Sequence, residues 1–511
     1  MHDLDGYREK FKRSFFLQFI YHGTFGIGTF FAISGILQTY GVLTKVSKNT
    51  KDGSGPPVRF DLQFWVCLIV NRYLRIIPLY LFCILYVSYV LPQMANFSMW
   101  SPMDPGRQCP PEIWRHLFFL NNFKPLQLCM TWTWYLAVDF QLFLTNVPLT
   151  VSFVHRPKLA LAGALSLILP FSLVKAFMIR KENFPPALML LVPMPAYDQN
   201  FAKYSFEIYM RPYSWTSTYL FGMLTGYLIF WTTTTNRLSN GRRIFGRREI
   251  CVISLLSFFS VLGAFWTAFG IYPQAMGIKN LTYDFIYAAF SPLTWALSIC
   301  WLVYSIHCFL DKGSIVRLFL QYKIWTVTSN LTFACYLIHL PFCFGFLLRY
   351  CLEKWDLIHS SGRQFLKVPL NSSDILGLAA CAGFVSYFLA LALYFLVESP
   401  AAQIQAILMG KLRDWRKMSR NLSVNDENAS SRIDCGKEGF GRLFAAYKTV
   451  FSLRSEYVSG TFHEDQAKTM TETLQLAHYL AIDLAHQLSI DLPQTLAQHL
   501  PLDLSRYLAQ N

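Results

Sequence analysis

Long apolar segments dominate this chain of 511 residues and restrict what it can fold into. A helix needs roughly 20 mostly apolar residues to cross the hydrocarbon core of a bilayer. The sequence contains nine such segments, without the alternating pattern that is typical of an outer-membrane barrel. Together they predict an all-α fold, a polytopic transmembrane helical bundle. The predicted spans cover residues 24–44, 74–92, 133–154, 159–178, 215–232, 250–270, 284–309, 326–348 and 375–397.

The amount and placement of charge support this interpretation. Charged residues make up 15% of the chain, whereas a soluble domain carries about 25%. The net charge of +15 lies entirely before residue 411, because residues 411–511 hold 12 basic and 12 acidic side chains. The excess gathers in short runs between apolar segments, as in cytosolic loops. A nucleic-acid-binding protein would present one basic face on a soluble domain, so we expect membrane lipids as partners and no nucleic acid.

The basic loops also predict the topology. If they face the cytosol, the C-terminus is cytosolic, and the glycosylation sequons at Asn96, Asn280 and Asn371 fall on the opposite side. This is the arrangement of a multi-pass protein of the endoplasmic reticulum or plasma membrane. Residues 1–23 are basic but lie on the predicted outer side, which predicts an additional helix upstream and a truncated N-terminal segment.

Three parts of the chain follow from these patterns. Residues 1–23 form the N-terminal segment, residues 24–410 the membrane domain, and residues 411–511 a polar cytosolic tail. Apolar residues at helical spacing within 464–489 indicate an amphipathic helix in the tail.

The cysteines predict one disulfide, and the sequence shows no metal-binding pattern. Cys109 and Cys129 lie in the long predicted outer loop, 93–132, where an oxidising compartment permits a disulfide. The sequence has no metal-ligand spacing, Walker loop or dinucleotide-binding glycine motif. We therefore expect no metal site and no bound cofactor.

Two arginines lie where the second predicted span begins. Arg72 and Arg75 are spaced i, i+3, which places both guanidinium groups on one helix face at the predicted cytosolic mouth. Two such groups can clamp a phosphate bidentately. They can equally be anchors whose side chains reach back to the interface.

Two further ionisable residues lie at membrane depth. Asp139 lies about one turn inside the predicted outer face, and it is either a general base or the partner of a nearby arginine. His339 lies near mid-span before Pro341, and it is either a hydrogen-bonded packing residue or a catalyst.

The fifth predicted span begins with Arg211 and Tyr213 on the outer side, where they are able to orient an acceptor hydroxyl. Beyond them, Gly222 and Gly226 form a Gly-x-x-x-Gly pattern that is typical of close helix packing. At the end of the last span, Glu398 is expected to pair with an arginine.

Six ordered segments resemble motifs of the acyltransferase 3 family of integral-membrane acyltransferases, in its nose-resistant-to-fluoxetine-like animal group. They are distributed across residues 18–410 and include an Arg-x-x-Arg element, a Trp-x-Trp-Tyr-Leu element and a closing Glu-x-Pro element. The segments are residues 24–35, 72–80, 121–136, 211–213, 331–339 and 398–400.

The resemblance implies transfer of an acyl group, other than aminoacyl, from cytosolic acyl-CoA to a hydroxyl-bearing lipid, sugar or small acceptor. Acyl-CoA would be a co-substrate. Arg72 and Arg75 would contact the donor, Asp139 or His339 would act as the base, and Arg211 with Tyr213 would face the acceptor. The alternatives are a lipid or small-molecule transporter and a catalytically inactive relative on the same fold.

The chain also departs from the family pattern. An earlier helix with a Gly-Ile-Arg…Gly-His element has no equivalent, His22 stands in place of the usual Asn, and Gly28 stands in place of Asp. These departures predict either a partial chain or an inactive relative.

Overall fold

The computed structural model describes residues 14–16, 23–51, 62–94, 105–124, 129–188, 197, 200–238, 247–308, 314–360 and 372–410. Every regular element within them is helical, which confirms the all-α polytopic bundle. The main helices are α1 (Gly26–Lys51), α2 (Leu62–Leu85), α3 (Trp134–Thr145), α4 (Val147–His155), α5 (Pro157–Lys181), α6 (Tyr213–Leu238), α7 (Arg247–Phe269), α8 (Leu281–Cys308), α9 (Lys323–Ser360) and α10 (Ser372–Leu393).

Met1–Ile407 forms one compact unit, and Leu408–Asn511 is assigned to a second. The unit Met1–Ile407 contains all of the main helices. The predictions for the segment 1–23 and for the tail 411–511 fall largely outside the described residues.

Seven helical stretches in the described residues are long and apolar enough to cross a membrane, with mean hydropathy between 1.3 and 2.1. The predicted span 326–348 falls in α9, and the predicted span 215–232 falls in α6, which does not reach this hydropathy. In α6 the cause is a row of buried hydroxyl residues that face other helices instead of lipid. The seven stretches are Gly23–Ser47, Phe64–Gln93, Thr131–His155, Pro157–Lys181, Cys251–Ala275, Leu281–Cys308 and Ala380–Gly410.

The second span begins earlier than the sequence predicted. Its apolar helical stretch covers Phe64–Gln93, whereas the prediction began at residue 74. The residues before Asn71 are apolar and continue the helix upstream. Arg72 therefore lies about 12 Å along the helix from Phe64, at 1.5 Å per residue.

Helix α3 lies between two apolar clusters and is buried on both sides. Leu136, Ala137 and Phe140 pack with residues of α2 and α9. Val138 and Leu142 pack with residues of α1, α5 and α6. A side chain on α3 is therefore held by several helices at once, which fixes its position.

Helices α1 and α6 touch through their backbones at glycine residues. A Cβ added at Gly222 would overlap the backbone of Ala32, and one added at Gly226 would come within 2.6 Å of the Ile36 carbonyl oxygen. On the facing helix, Gly35 approaches the Tyr219 backbone in the same way. The prediction of close helix packing at Gly222 and Gly226 is confirmed.

A disulfide joins Cys109 and Cys129, whose Cα atoms are 4.9 Å apart. It closes a cap of short helical turns, residues 105–124 and 129–133, that packs against α2 and α3. Both cysteines belong to the same apolar cluster as Leu79 and Tyr80 of α2. The cap thereby fixes the end of the bundle where α3 begins.

We predict that Gly222→Ala destabilises the protein by about 3 kcal/mol, since overpacking that moves backbone typically costs this much. Gly41→Ala is the matched control on α1, because no atom lies within 4 Å of a Cβ at that position. It should leave stability unchanged or raise it by about 0.5–1 kcal/mol. Thermal unfolding of the full chain in detergent measures both, and equal midpoints for the two variants would contradict the backbone contact.

Candidate functional site

An ion pair inside the bundle joins α2 to α3. Nη2 of Arg72 lies 2.6 Å from Oδ2 of Asp139, whose side chain is 9% exposed. The same Nη2 donates to Oγ of Ser34 on α1 at 3.1 Å, and the guanidinium group lies 4.4 Å from the centre of the Phe143 ring. Of the two interpretations of Asp139, the structure therefore shows the arginine partner.

The ion pair leaves one donor and one acceptor without a protein partner. In the described part of the chain, Nε of Arg72 and Oδ1 of Asp139 are buried and make no hydrogen bond. Burying charged groups is costly unless they are paired and their remaining polar atoms are satisfied. A donor and an acceptor that lie close together in this way are suited to receive the polar atoms of a ligand.

A polar network extends from the ion pair through the neighbouring helices. Tyr219 of α6 lies within electrostatic range of Arg72, and its hydroxyl donates to Oε1 of Gln38. Nε2 of Gln38 in turn donates to Oγ1 of Thr150 on α4 at 3.0 Å. Sequence reasoning missed Gln38 and Tyr219, although a glutamine within an apolar span is a signal of the same kind as an intramembrane charge.

Two further tyrosines lie near the carboxylate of Asp139. Tyr135 and Tyr336 are both within electrostatic range of it, and their ring centres are 5.9 Å apart. The Tyr336 hydroxyl donates to the carbonyl oxygen of Trp132 at 2.6 Å. These rings connect α9 to the start of α3.

His339 lies one turn along α9 from Tyr336. Its Nδ1 is 2.7 Å from the carbonyl oxygen of Tyr336, and the two ring centres are 6.2 Å apart. A carbonyl oxygen only accepts, so Nδ1 of His339 is the donor in this contact and Nε2 takes no part in it. His339 is thus separated from Asp139 by Tyr336 and makes no direct contact with it among the described interactions.

Arg75 is not engaged in the same way as Arg72. Its side chain is exposed, and it lies within electrostatic range of Glu398. The guanidinium group of Arg72, by contrast, pairs with Asp139 inside the bundle. The two guanidinium groups that the sequence places on one helix face therefore lie near different carboxylates.

Arg211 and Tyr213 lie where the disulfide-closed cap meets the start of α6. The Arg211 guanidinium is 4.1 Å from the ring centre of Phe206 and 5.5 Å from that of Phe123. The Tyr213 hydroxyl donates to the carbonyl oxygen of Glu207. Neither residue contacts the ion pair in the described contacts.

The cap contains a buried histidine that sequence reasoning missed. Nδ1 of His116 lies 2.7 Å from the Tyr80 hydroxyl, which also donates to Oγ1 of Thr133 at 3.0 Å. Asn121 donates to the same Oγ1 at 3.1 Å. Burial lowers the pKa of His116 to about 4, although Glu112 opposes this shift.

Taken together, the described residues form a polytopic helical membrane protein with a charged pair in its interior. They contain no group of three or more His, Cys, Asp or Glu residues that is suited to hold a metal ion.

Two proteins of Caenorhabditis elegans are similar in sequence. Nose resistant to fluoxetine protein 6 is 28% identical over 64% of this chain, and Regulator of hypoxia-inducible factor 1 is 21% identical over 74% of it. The chain spans about 40% of the length of the first relative and 68% of the second. No protein-family model and no solved structure matches the chain.

We predict that the ion pair is energetically coupled. Arg72→Leu and Asp139→Leu should each destabilise the protein by about 3–5 kcal/mol, because each leaves one unpaired buried charge. The double variant should lose less than either single variant, since it leaves no charge behind. Thermal unfolding of the four proteins measures the coupling, and losses that simply add would contradict it.

We also predict an acid-sensitive cap. The folded-state pKa of His116 is about 4, below the unfolded value of about 6.5. The neutral ring therefore stabilises the fold fully above pH 6.5, and this contribution falls as the pH drops towards 4, by roughly 3 kcal/mol in total.

The measurement is the change in thermal midpoint between pH 7 and pH 5. His116→Asn keeps a polar group near the Nδ1 position and should show a smaller change than the parent. His155→Asn, at an exposed position at the end of α4, is the control and should behave like the parent. An unchanged pH response in His116→Asn would contradict the assignment.

Proposed function

We propose that this chain is an integral-membrane O-acyltransferase of the acyltransferase 3 type, which moves an acyl group other than aminoacyl from acyl-CoA to a hydroxyl-bearing acceptor. The observation that carries the proposal is the buried Arg72–Asp139 pair, with one unpartnered donor and one unpartnered acceptor, beside the helix that bears His339. The similarity to Nose resistant to fluoxetine protein 6 supports the same group of proteins.

His339 is the better general base of the two candidates. Its Nδ1–H is held by the Tyr336 carbonyl, which leaves Nε2 to accept a proton from the acceptor hydroxyl. Asp139 is already paired with Arg72, so taking up a proton would break the ion pair. Its role is to hold the guanidinium group in position.

The reaction then proceeds as a nucleophilic substitution at the thioester. As Nε2 of His339 takes the proton, the acceptor oxygen attacks the thioester carbonyl carbon and forms the ester bond. The carbon–sulfur bond breaks, and the CoA thiolate leaves and takes up the proton. Negative charge develops on the carbonyl oxygen, and the unpartnered Nε–H of Arg72 is a donor for it.

Substrates approach from opposite sides of the bilayer in this proposal. Arg75 is exposed and contacts the phosphates of acyl-CoA on the cytosolic side. Arg211 and Tyr213 stand at the acceptor side, next to the disulfide-closed cap. The membrane is that of the endoplasmic reticulum or the cell surface, with the C-terminus in the cytosol.

We predict that His339→Gln lowers kcat for acyl transfer by roughly 10²- to 10⁴-fold, the usual contribution of a general base. The full chain is reconstituted in nanodiscs with a total membrane lipid extract and supplied with acetyl-CoA or palmitoyl-CoA. Release of CoA and mass spectrometry of the acylated lipids measure the rate. His307→Gln is the matched control, since His307 Nδ1 makes a similar contact with the Val303 carbonyl at an exposed position.

The outcomes separate the roles of the residues. His307→Gln should keep the parent rate, and Arg75→Gln should raise KM for acyl-CoA with little effect on kcat. Equal rates in the parent and His339→Gln would contradict the proposed base. A rate no higher than that of empty nanodiscs for both donors would contradict acyl transfer itself.

A further inference from the structure

Lys175 places a positive charge on the bundle-facing side of a membrane-spanning helix. It lies in α5, six residues before the end of the span Pro157–Lys181. Neighbouring residues on the side of α5 that faces the bundle are buried, whereas those on the opposite side are exposed. The buried residues are Ser172, Ala176 and Ile179, and the exposed ones are Leu173, Val174 and Phe177.

The ammonium group of Lys175 points at a ring and not at an acid. Its Nζ lies 5.4 Å from the ring centre of Trp215, which is 5% exposed. In the described part of the chain no carboxylate lies within 4 Å of it, although Lys181 and Lys203 at the end of the same region both pair with Glu182. A ring face compensates only part of the cost of a charge at this depth.

Aromatic side chains form a fixed wall beside this charge. The rings of Trp134 in α3, Trp215 in α6 and Tyr209, which lies just before α6, have centres 4.7 to 6.2 Å apart. The Trp215 Nε1–H donates to the Tyr209 carbonyl oxygen at 2.7 Å, which sets the orientation of the ring. A cation next to aromatic faces suits a ligand with one negative group on an apolar or ring-shaped body.

Contacts between aromatic rings connect the surroundings of Lys175 to the Arg72–Asp139 ion pair. Phe31 lies 5.0 Å from Trp215 and 4.8 Å from Tyr135, measured between ring centres. Tyr135 is within electrostatic range of Asp139 and Arg72. Lys175 is therefore linked to the ion pair through packed rings, by way of Trp215, Phe31 and Tyr135.

We propose that Lys175 binds the negatively charged group of the acyl acceptor, so that the acceptor is a hydroxyl compound bearing a carboxylate or a phosphate. That the bound molecule is the acyl acceptor rests on the proposed function. That Lys175 binds an anion does not. The aromatic wall holds the body of this molecule, and Lys175 supplies the charge that discriminates it from a neutral analogue.

The test measures binding of defined probes to the full chain in a non-ionic detergent. The probes are dioctanoyl phosphatidate, octanoate and inorganic phosphate, with dioctanoylglycerol as the neutral reference. We expect the parent to bind at least one lipid-like anion ten or more times tighter than the neutral reference. Lys175→Met should lose this difference, and Lys175→Arg should keep it.

Lys181→Met is the matched control, because Lys181 is on the same helix with a side chain 61% exposed. It should bind like the parent. Without any probe, Lys175→Met should unfold at the same temperature as the parent or higher, since it removes an unpaired charge. A Lys175-dependent response to inorganic phosphate alone would support the anion site with a soluble phosphate compound as its ligand.

Two results would overturn the proposal: no preference for any anionic probe, or an equal loss in Lys175→Met and Lys181→Met. Neither result depends on acyl-CoA, so the anion site and the enzymatic activity fail separately. If acyl transfer occurs and Lys175→Met transfers to neutral and anionic acceptors at parent rates, the activity stands and the anionic acceptor is excluded.

Discussion

The contact between Arg72 and Asp139 is the constraint on which the arrangement of the bundle depends. An unpaired charge inside an apolar bundle is costly, so α2 and α3 must hold a relative position in which the 2.6 Å contact between Arg72 and Asp139 forms. Because α3 is packed on both sides, the ion pair also fixes the two apolar clusters relative to each other. The Ser34 hydroxyl satisfies only part of the pair, which leaves Nε of Arg72 and Oδ1 of Asp139 for chemistry.

Much of the fold was predictable from sequence, because lipid imposes a simple rule on helix length and composition. The helices, the close packing at Gly222 and Gly226 and the pairing of Cys109 with Cys129 all follow from local patterns. The position of Arg72 inside the bundle does not follow from such patterns. Hydropathy identifies an apolar segment, but it does not determine how far two antiparallel helices are shifted along each other. The partner of Arg72 lies 67 residues away in sequence, and only the packed bundle brings the two together.

The residues that sequence reasoning missed share one physical cause. Gln38 and Lys175 each lie in a span whose other residues are apolar enough to hide one polar group in a hydropathy average, whereas Tyr219 lies among the buried hydroxyl residues of α6. His116 lies in a short cap segment whose burial depends on the disulfide and on α2. In each case the informative quantity is what surrounds the side chain in space, and no pattern along the chain contains it.

The glycine contact between α1 and α6 limits how this protein can move. With Gly35, Gly222 and Gly226 at the crossing, the two backbones touch and no flexible side chains lie between them. Sliding one helix along the other would drive carbonyl groups into Cα atoms, so this helix pair behaves as one rigid rod. Ser34 and Tyr219 are carried on that rod, on one side of the ion pair. Access to the site must therefore come from rotation of side chains or movement of α9 and the cap, while the α1–α6 rod stays still.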